Sequence, residues 1–184
     1  EKALVAFGAG FIKHPANAAL RQNLRTGTLD TRDYYRQLLR LVYRMIFLFV
    51  AEDRGLLIAP DAGTDSRLRY SAYYSTARLR RLAMRLRGSR HADLYEGFVL
   101  VMRKLGSDEG CPELALPALG SFLFSDEAIH DLQDCRLSNQ SFLEAIRALS
   151  VVDDGRAHRL VDFKNLGSEE FGSVYESLLE LHPE

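Results

Sequence analysis

The stretch from Leu38 to Ala51 constrains the fold most. It is apolar throughout except for Arg40 and Arg44. At about 14 residues it falls short of the roughly 20 needed to cross a bilayer, so no membrane partner is expected. A run that is apolar almost all round reads as a helix buried in a protein core. Asp30 or Thr31 can cap it and Asp33 suits its first turn, where negative charge meets the helix dipole favourably. The helix should continue to about Asp53 and stop at Gly55. Arg32, Arg36, Arg40 and Arg44 recur every four residues and form a slowly drifting stripe along it. Arg40 and Arg44 lie within the apolar run and are expected to need carboxylate partners, with Glu52, Asp53 or the final helix as candidates.

The flanking pattern predicts a mainly α protein, an irregular multi-helix bundle with a small β-hairpin near the C-terminus. Residues 1–28 read as an N-terminal arm or short helices, 29–150 as a helical core, and 151–184 as the hairpin plus a last helix. Ala3 to Lys13 is apolar and glycine-rich, a short helix or strand. Asn17 to Arg25 reads as a helix that Gly27 can end. Ile58 to Leu68 carries Pro60, Asp61, Gly63 and Ser66, which is loop chemistry. Helices follow at Ser75–Leu86, at Asp93–Leu105 with Asp93 as its cap, and at Ser138–Leu149 with Ser138 as its cap. Asp126–Asp134 reads as a further short helix. Ser107 to Ser121, broken by Pro112, Pro117, Gly110 and Gly120, should be irregular and lie on the surface. Val151-Val152, Asp154-Gly155 and Leu160–Phe163 form the hairpin pattern. Ser168 can cap a last helix through Leu181.

The chain of 184 residues is 47% hydrophobic, carries a net charge of −1 and holds two cysteines. Overall charge therefore points to no polyanionic partner. Cys111 and Cys135 form no CxxC pair, which argues against a disulfide scaffold or zinc knuckle and fits a reducing cytoplasm. No signal peptide is visible. The chain starts without Met and stops just after a helical pattern, so both ends read as boundaries within a longer polypeptide.

Charge is nonetheless segregated. Between Asp65 and Asp93 there is no acid, and the interval holds Arg67, Arg69, Arg78, Arg80, Arg81, Arg85, Arg87 and Arg90. Between Lys104 and Arg136 there is no base. Arg78, Arg81 and Arg85 share a helical face, with Tyr73 and Tyr74 just upstream. Arginine gives bidentate contacts to phosphate and tyrosine packs on sugar or base, so these five residues are the candidate DNA-backbone contacts. The competing reading pairs the arginines with the acidic stretch or leaves them solvating a helix.

Two weaker constellations stand beside this one. Asp126, His130 and Asp134 are spaced i, i+4, i+8, so one helix could aim them at a metal, although no second ligand cluster accompanies them. Asp162-Phe163-Lys164, with Asp153 and Asp154 upstream, supplies the residue types of a nuclease centre at loose spacing. No GxGxxG, GxxxxGK[ST], HExxH or GxSxG occurs, nor any Asn-Pro-Pro-aromatic run. No catalytic, cofactor-binding or metal residue is therefore assigned.

Three stretches carry a family resemblance. They are YYRQLLRLVYRMIFLFVAEDRGLL (34–57), LALPALGSFLF (114–124) and VDFKNLGSEEFGSVYESLLELHPE (161–184). They resemble, in this order, the helical region that precedes the catalytic domain in large adenine-specific DNA methyltransferases. These are the Eco57I-like fused restriction-modification enzymes and the related phage-defence methylases of BREX and DISARM type. The resemblance implies a non-catalytic connector or scaffold in a larger parent enzyme. It also implies a methyltransferase domain after Glu184, S-adenosylmethionine as the parent's cofactor, and DNA as its partner, with an endonuclease activity an open addition. Because the family's cofactor and Asn-Pro-Pro-Tyr residues match nothing here, no catalytic role carries over. The rival reading is a protein-interaction module whose basic stretch and acidic Asp108–Asp134 stretch dock subunits of a defence complex.

Overall fold

The computed structural model describes residues 1–153, 158–165, 167 and 169. Seven α-helices occur among them: α1 (Lys2–Lys13), α2 (Ala18–Thr26), α3 (Thr31–Asp53), α4 (Thr64–Arg69), α5 (Thr76–Arg85), α6 (Asp93–Gly106) and α7 (Asn139–Ser150). A π-helical turn at Tyr70–Tyr74 separates α4 from α5. The strands β1 (Val151–Asp153) and β2 (His158–Leu160) pair antiparallel, Val151 opposite Leu160 and Asp153 opposite His158. The mainly helical architecture with a small hairpin near the C-terminus is as the sequence pattern predicts. The expected helix from Ser168 to Leu181 and the Asp154-Gly155 turn lie outside the described residues.

Helix α3 is the central element. Leu41, Met45, Leu48 and Phe49 are wholly buried, and α1, α5 and the turns after α6 pack around it. Residues 1–28 join the same core. Phe7 and Phe11 of α1 are fully buried, Phe7 beside Phe142 of α7 and Phe11 edge-on to Tyr95 of α6 at 5.5 Å between centroids. Gly10 makes this α1–α7 contact possible, because a Cβ there would stand 2.6 Å from both Leu137 Cδ1 and Ser141 Cβ. Asn17, 4% exposed, ties the α1–α2 corner to a distant loop. Its amide donates to Phe11 O (2.9 Å) and Arg136 O (2.7 Å) and accepts from Arg136 N (2.8 Å).

Several expectations need correction. Arg40 and Arg44 find carbonyls rather than carboxylates. Arg44, 1% exposed, donates to Leu123 O and to Ser125 O (2.7 Å), and burial lowers its pKa to about 10. Arg40 donates to Ala128 O (2.9 Å). The helix expected over Asp126–Asp134 is reduced to one 3-10 turn, Asp126–Ile129. The backbone there is engaged from outside: α3 takes the Ser125 and Ala128 carbonyls, and Gln37 Oε1 accepts from Asp131 N at 2.9 Å. The Asp131 N–H, given to Gln37, is not available to the Glu127 carbonyl as an α-helical ladder would require. The irregular segment after α6 is not confined to the surface, since Cys111, Leu114, Ala115 and Leu116 are buried. Finally, Thr64–Arg69 is helical where loop was expected, and Ala92 rather than Asp93 is the residue preceding α6.

The second strand of the hairpin lies earlier in the chain than expected, at His158–Leu160 instead of Leu160–Phe163. Phe163 instead turns inward and meets Phe49 at 5.1 Å between ring centroids.

Candidate nucleic-acid interface

The candidate face is built on α5, and the chain fixes that helix at both ends. The first N–H groups of a helix have no partner within it. Here the Glu52 carboxylate of α3 accepts from Thr76 N (2.8 Å) and Ala77 N (2.7 Å). Ser75, the cap, accepts from Arg78 N at 3.2 Å. Glu52 also accepts from the Tyr70 hydroxyl at 2.8 Å. Burial first, and then the Glu52 charge, hold that hydroxyl protonated well above the ordinary tyrosine range. At the other end the last carbonyls are orphaned. Arg147 of α7 donates to Ala83 O (2.7 Å) and Leu86 O (2.6 Å). Just beyond, Gly88 adopts φ +86 with its α-carbon against the Gln140 backbone, a place that no side chain fits.

Between these ends Arg80 points inward. It is 4% exposed and forms a two-pronged pair with Asp53, one prong at 2.9 Å. Its guanidinium lies 5.2 Å from the Phe49 centroid and 5.5 Å from that of Phe163. Of the arginines in the acid-free interval, Arg67 and Arg69 also turn onto backbone carbonyls, Arg67 onto Ala59 O, Pro60 O and Ala62 O, and Arg69 onto Glu113 O.

The five candidate residues do not form one patch. Arg78 is half-buried and donates weakly to Tyr73 O (3.4 Å), lining a hollow with Tyr73, Tyr74, Asp93 and Glu96. Tyr73 is 67% exposed, whereas Tyr74 packs partly against the core. Arg81 and Arg85 are exposed, and no hydrogen bond or ion pair to another described residue engages their side chains. The same is true of Arg87 and Arg90, which follow α5. Arg87 and Arg90 are not among the five candidates, which the shared helical face of Arg78, Arg81 and Arg85 defines. The signal that could have included them is the acid-free interval itself. The acidic stretch does not neutralise these arginines. Its Asp126 and Asp134 flank Arg103 instead, at 3.7 and 3.3 Å.

The remaining constellations dissolve into structure. Asp126, His130 and Asp134 do not share a helix; His130 pairs with Asp131 at 2.8 Å, and no metal-ligand cluster occurs among the described residues. Asp162 closes a local turn, accepting from Lys164 N (2.9 Å) and Asn165 Nδ2 (2.7 Å), so its oxygens are held by neighbours in sequence. Asp154 lies outside the described residues. No helix among the described residues is long and apolar enough to cross a membrane. Compared with known proteins, the chain matches no family model, no curated protein and no solved structure.

Proposed function

We propose that this chain is a non-catalytic helical connector in a larger adenine-specific DNA methyltransferase of restriction-modification or phage-defence type. It braces the enzyme on duplex DNA through phosphate contacts. One observation carries the DNA part of this reading. Arg81, Arg85, Arg87 and Arg90 are exposed and without partners among the described residues, on and just after a helix clamped by Glu52 and Arg147. Unpaired guanidinium groups carried on and just after an anchored helix suit contacts to a phosphate backbone. Such contacts position a protein without reading sequence. The parent enzyme rests on the resemblance of residues 34–57, 114–124 and 161–184. S-adenosylmethionine belongs in that reading to the domain after Glu184. The described residues offer no strand leading into a glycine-rich loop to hold it, and no chemical step is assigned to them.

Fluorescence anisotropy with duplex DNA over a salt series tests the proposal. Affinity should fall steeply with salt and show no sequence preference. Substituting Arg81 and Arg85 by Gln should flatten the log–log salt slope by about 2, roughly one for each lost phosphate contact. Arg78→Gln should change it little. An unchanged slope in the Arg81/Arg85 variant overturns the DNA contact. Capture of protein subunits independent of nucleic acid, with no DNA binding, would favour the interaction-module reading instead.

A further inference from the structure

Part of the arginine stripe on α3 has a use that the DNA-bracing face does not absorb. Arg36, Leu39, Arg40, Tyr43 and Phe47 recur along one side of α3 and, with Phe122 and Leu123 opposite, line a hollow of about 680 Å³. That volume falls within the roughly 300–1,000 Å³ of small-ligand pockets. The far wall is fixed in place. Arg44 holds the Leu123 and Ser125 carbonyls and Arg40 holds that of Ala128, so the segment carrying Phe122 is tied to α3 along its length. Phe122 is nonetheless 59% exposed, a large ring kept at the surface by a pinned turn. The Arg40 guanidinium lies 5.7 Å from its centroid, which joins positive charge and aromatic surface in one wall.

The lining contains aromatic rings and two guanidinium groups but no carboxylate. The carboxylate paired with Arg36 is Asp33, one turn back, in a bridge whose side chains are 65% and 55% exposed and which therefore holds Arg36 only weakly. We infer that this hollow binds a nucleoside monophosphate, its base against Phe122 and the Tyr43–Phe47 side of α3 and its phosphate on Arg36 and Arg40. Aromatic rings accept any base by stacking, and arginine matches phosphate oxygens two at a time. This inference is independent of the duplex contact through Arg81 and Arg85.

Calorimetric titration with AMP, adenosine and inorganic phosphate tests it. AMP should bind at least tenfold more tightly than adenosine or phosphate alone, because both halves of the site must be filled. Phe122→Ala should weaken AMP by roughly 5- to 150-fold, the range for losing one stacked base. Arg36→Gln should weaken AMP several-fold and leave adenosine unchanged. Both side chains are exposed, so circular dichroism of these variants should match the parent. Absence of AMP binding, equal affinity for adenosine and AMP, or AMP binding indifferent to both substitutions would overturn the assignment.

Discussion

Substituting Glu52 by Gln tests whether one carboxylate fixes the start of α5. Its oxygens receive three donors, Tyr70 OH, Thr76 N and Ala77 N, at 2.7–2.8 Å. Glutamine keeps the shape but only one acceptor oxygen. That oxygen can still serve Tyr70 and Thr76, while the amide NH2 then faces the Ala77 N–H, donor against donor. Leaving that N–H without an acceptor costs about 1–3 kcal/mol. Two bonds to a charged oxygen become bonds to a neutral one, at about 1 kcal/mol each. Loss of a negative charge at a helix N-terminus adds ~0.3–1 kcal/mol. The effects overlap, so a net loss of about 3 kcal/mol is expected. For a chain of this size that corresponds to a melting temperature lower by about 6–12 °C. Urea denaturation should show it, and a double-mutant cycle with Tyr70→Phe should give a coupling of about 0.5–3 kcal/mol. Asp30→Ala is the control. Asp30 precedes α3 but makes no side-chain capping bond, so its loss should cost under about 0.5 kcal/mol. If Glu52→Gln stays within about 0.5 kcal/mol of the parent, the carboxylate is not what holds α5, and the argument for a rigid arginine face fails.

Asp53→Ala leaves the Arg80 charge buried against Phe49 and Phe163 without its partner. Because the Asp53 side chain is 21% exposed, a loss of about 2–4 kcal/mol by urea denaturation is expected, toward the lower part of the range for broken buried pairs. Gly97 lies inside α6, and a Cβ there would meet nothing within 4 Å. Gly97→Ala should therefore stabilise the protein by about 0.5–1 kcal/mol, read as a higher melting temperature. Burial raises the pKa of Tyr34, Tyr70 and Tyr95 above the ordinary value of 10.0. Above about pH 10 the unfolded chain releases these protons and the folded one keeps them. Stability should then be intact below that pH and fall by about 1.4 kcal/mol per buried tyrosine for each further pH unit. Denaturation midpoints across pH 9–11, with tyrosinate absorbance followed in parallel, check this.

The helices were legible where local chemistry decides them. Gly27 ends α2 and Ser75 and Ser138 cap α5 and α7 because those signals act within one turn. The Leu38–Ala51 run placed α3 in the core because no other surface for it exists. Two kinds of information were not legible. The partners of Arg40 and Arg44 are carbonyls some 80 residues away, and a carbonyl leaves no mark in the sequence because every residue has one. Gln37, 94 residues away, likewise takes the Asp131 N–H that a helix over Asp126–Asp134 would use, although the charges there have a helical spacing. The candidate face was legible as an acid-free interval, but not its division. Arg80 and Arg81 are adjacent and chemically identical, and only the depth of α5 in the fold sends one to Asp53 and the other to solvent.

That division bears on how a nearly neutral chain could hold a polyanion. Arg44, Arg67, Arg80 and Arg147 each tie a loop or helix end to a neighbour with at least two of their N–H groups, which commits the geometry of those guanidinium groups. Such a group adds rigidity and little free field. Arg81, Arg85, Arg87 and Arg90 keep their donors, and the helix that carries the first two is immobilised by the arginines of the other kind. Rigid placement reduces the conformational entropy lost when a charged row meets phosphate. On this argument the inward arginines should matter to DNA binding without touching DNA. Replacing Arg147, which caps α5 from behind, should weaken duplex affinity in the same direction as Arg81→Gln while leaving the salt slope near its original value, because no phosphate contact is removed.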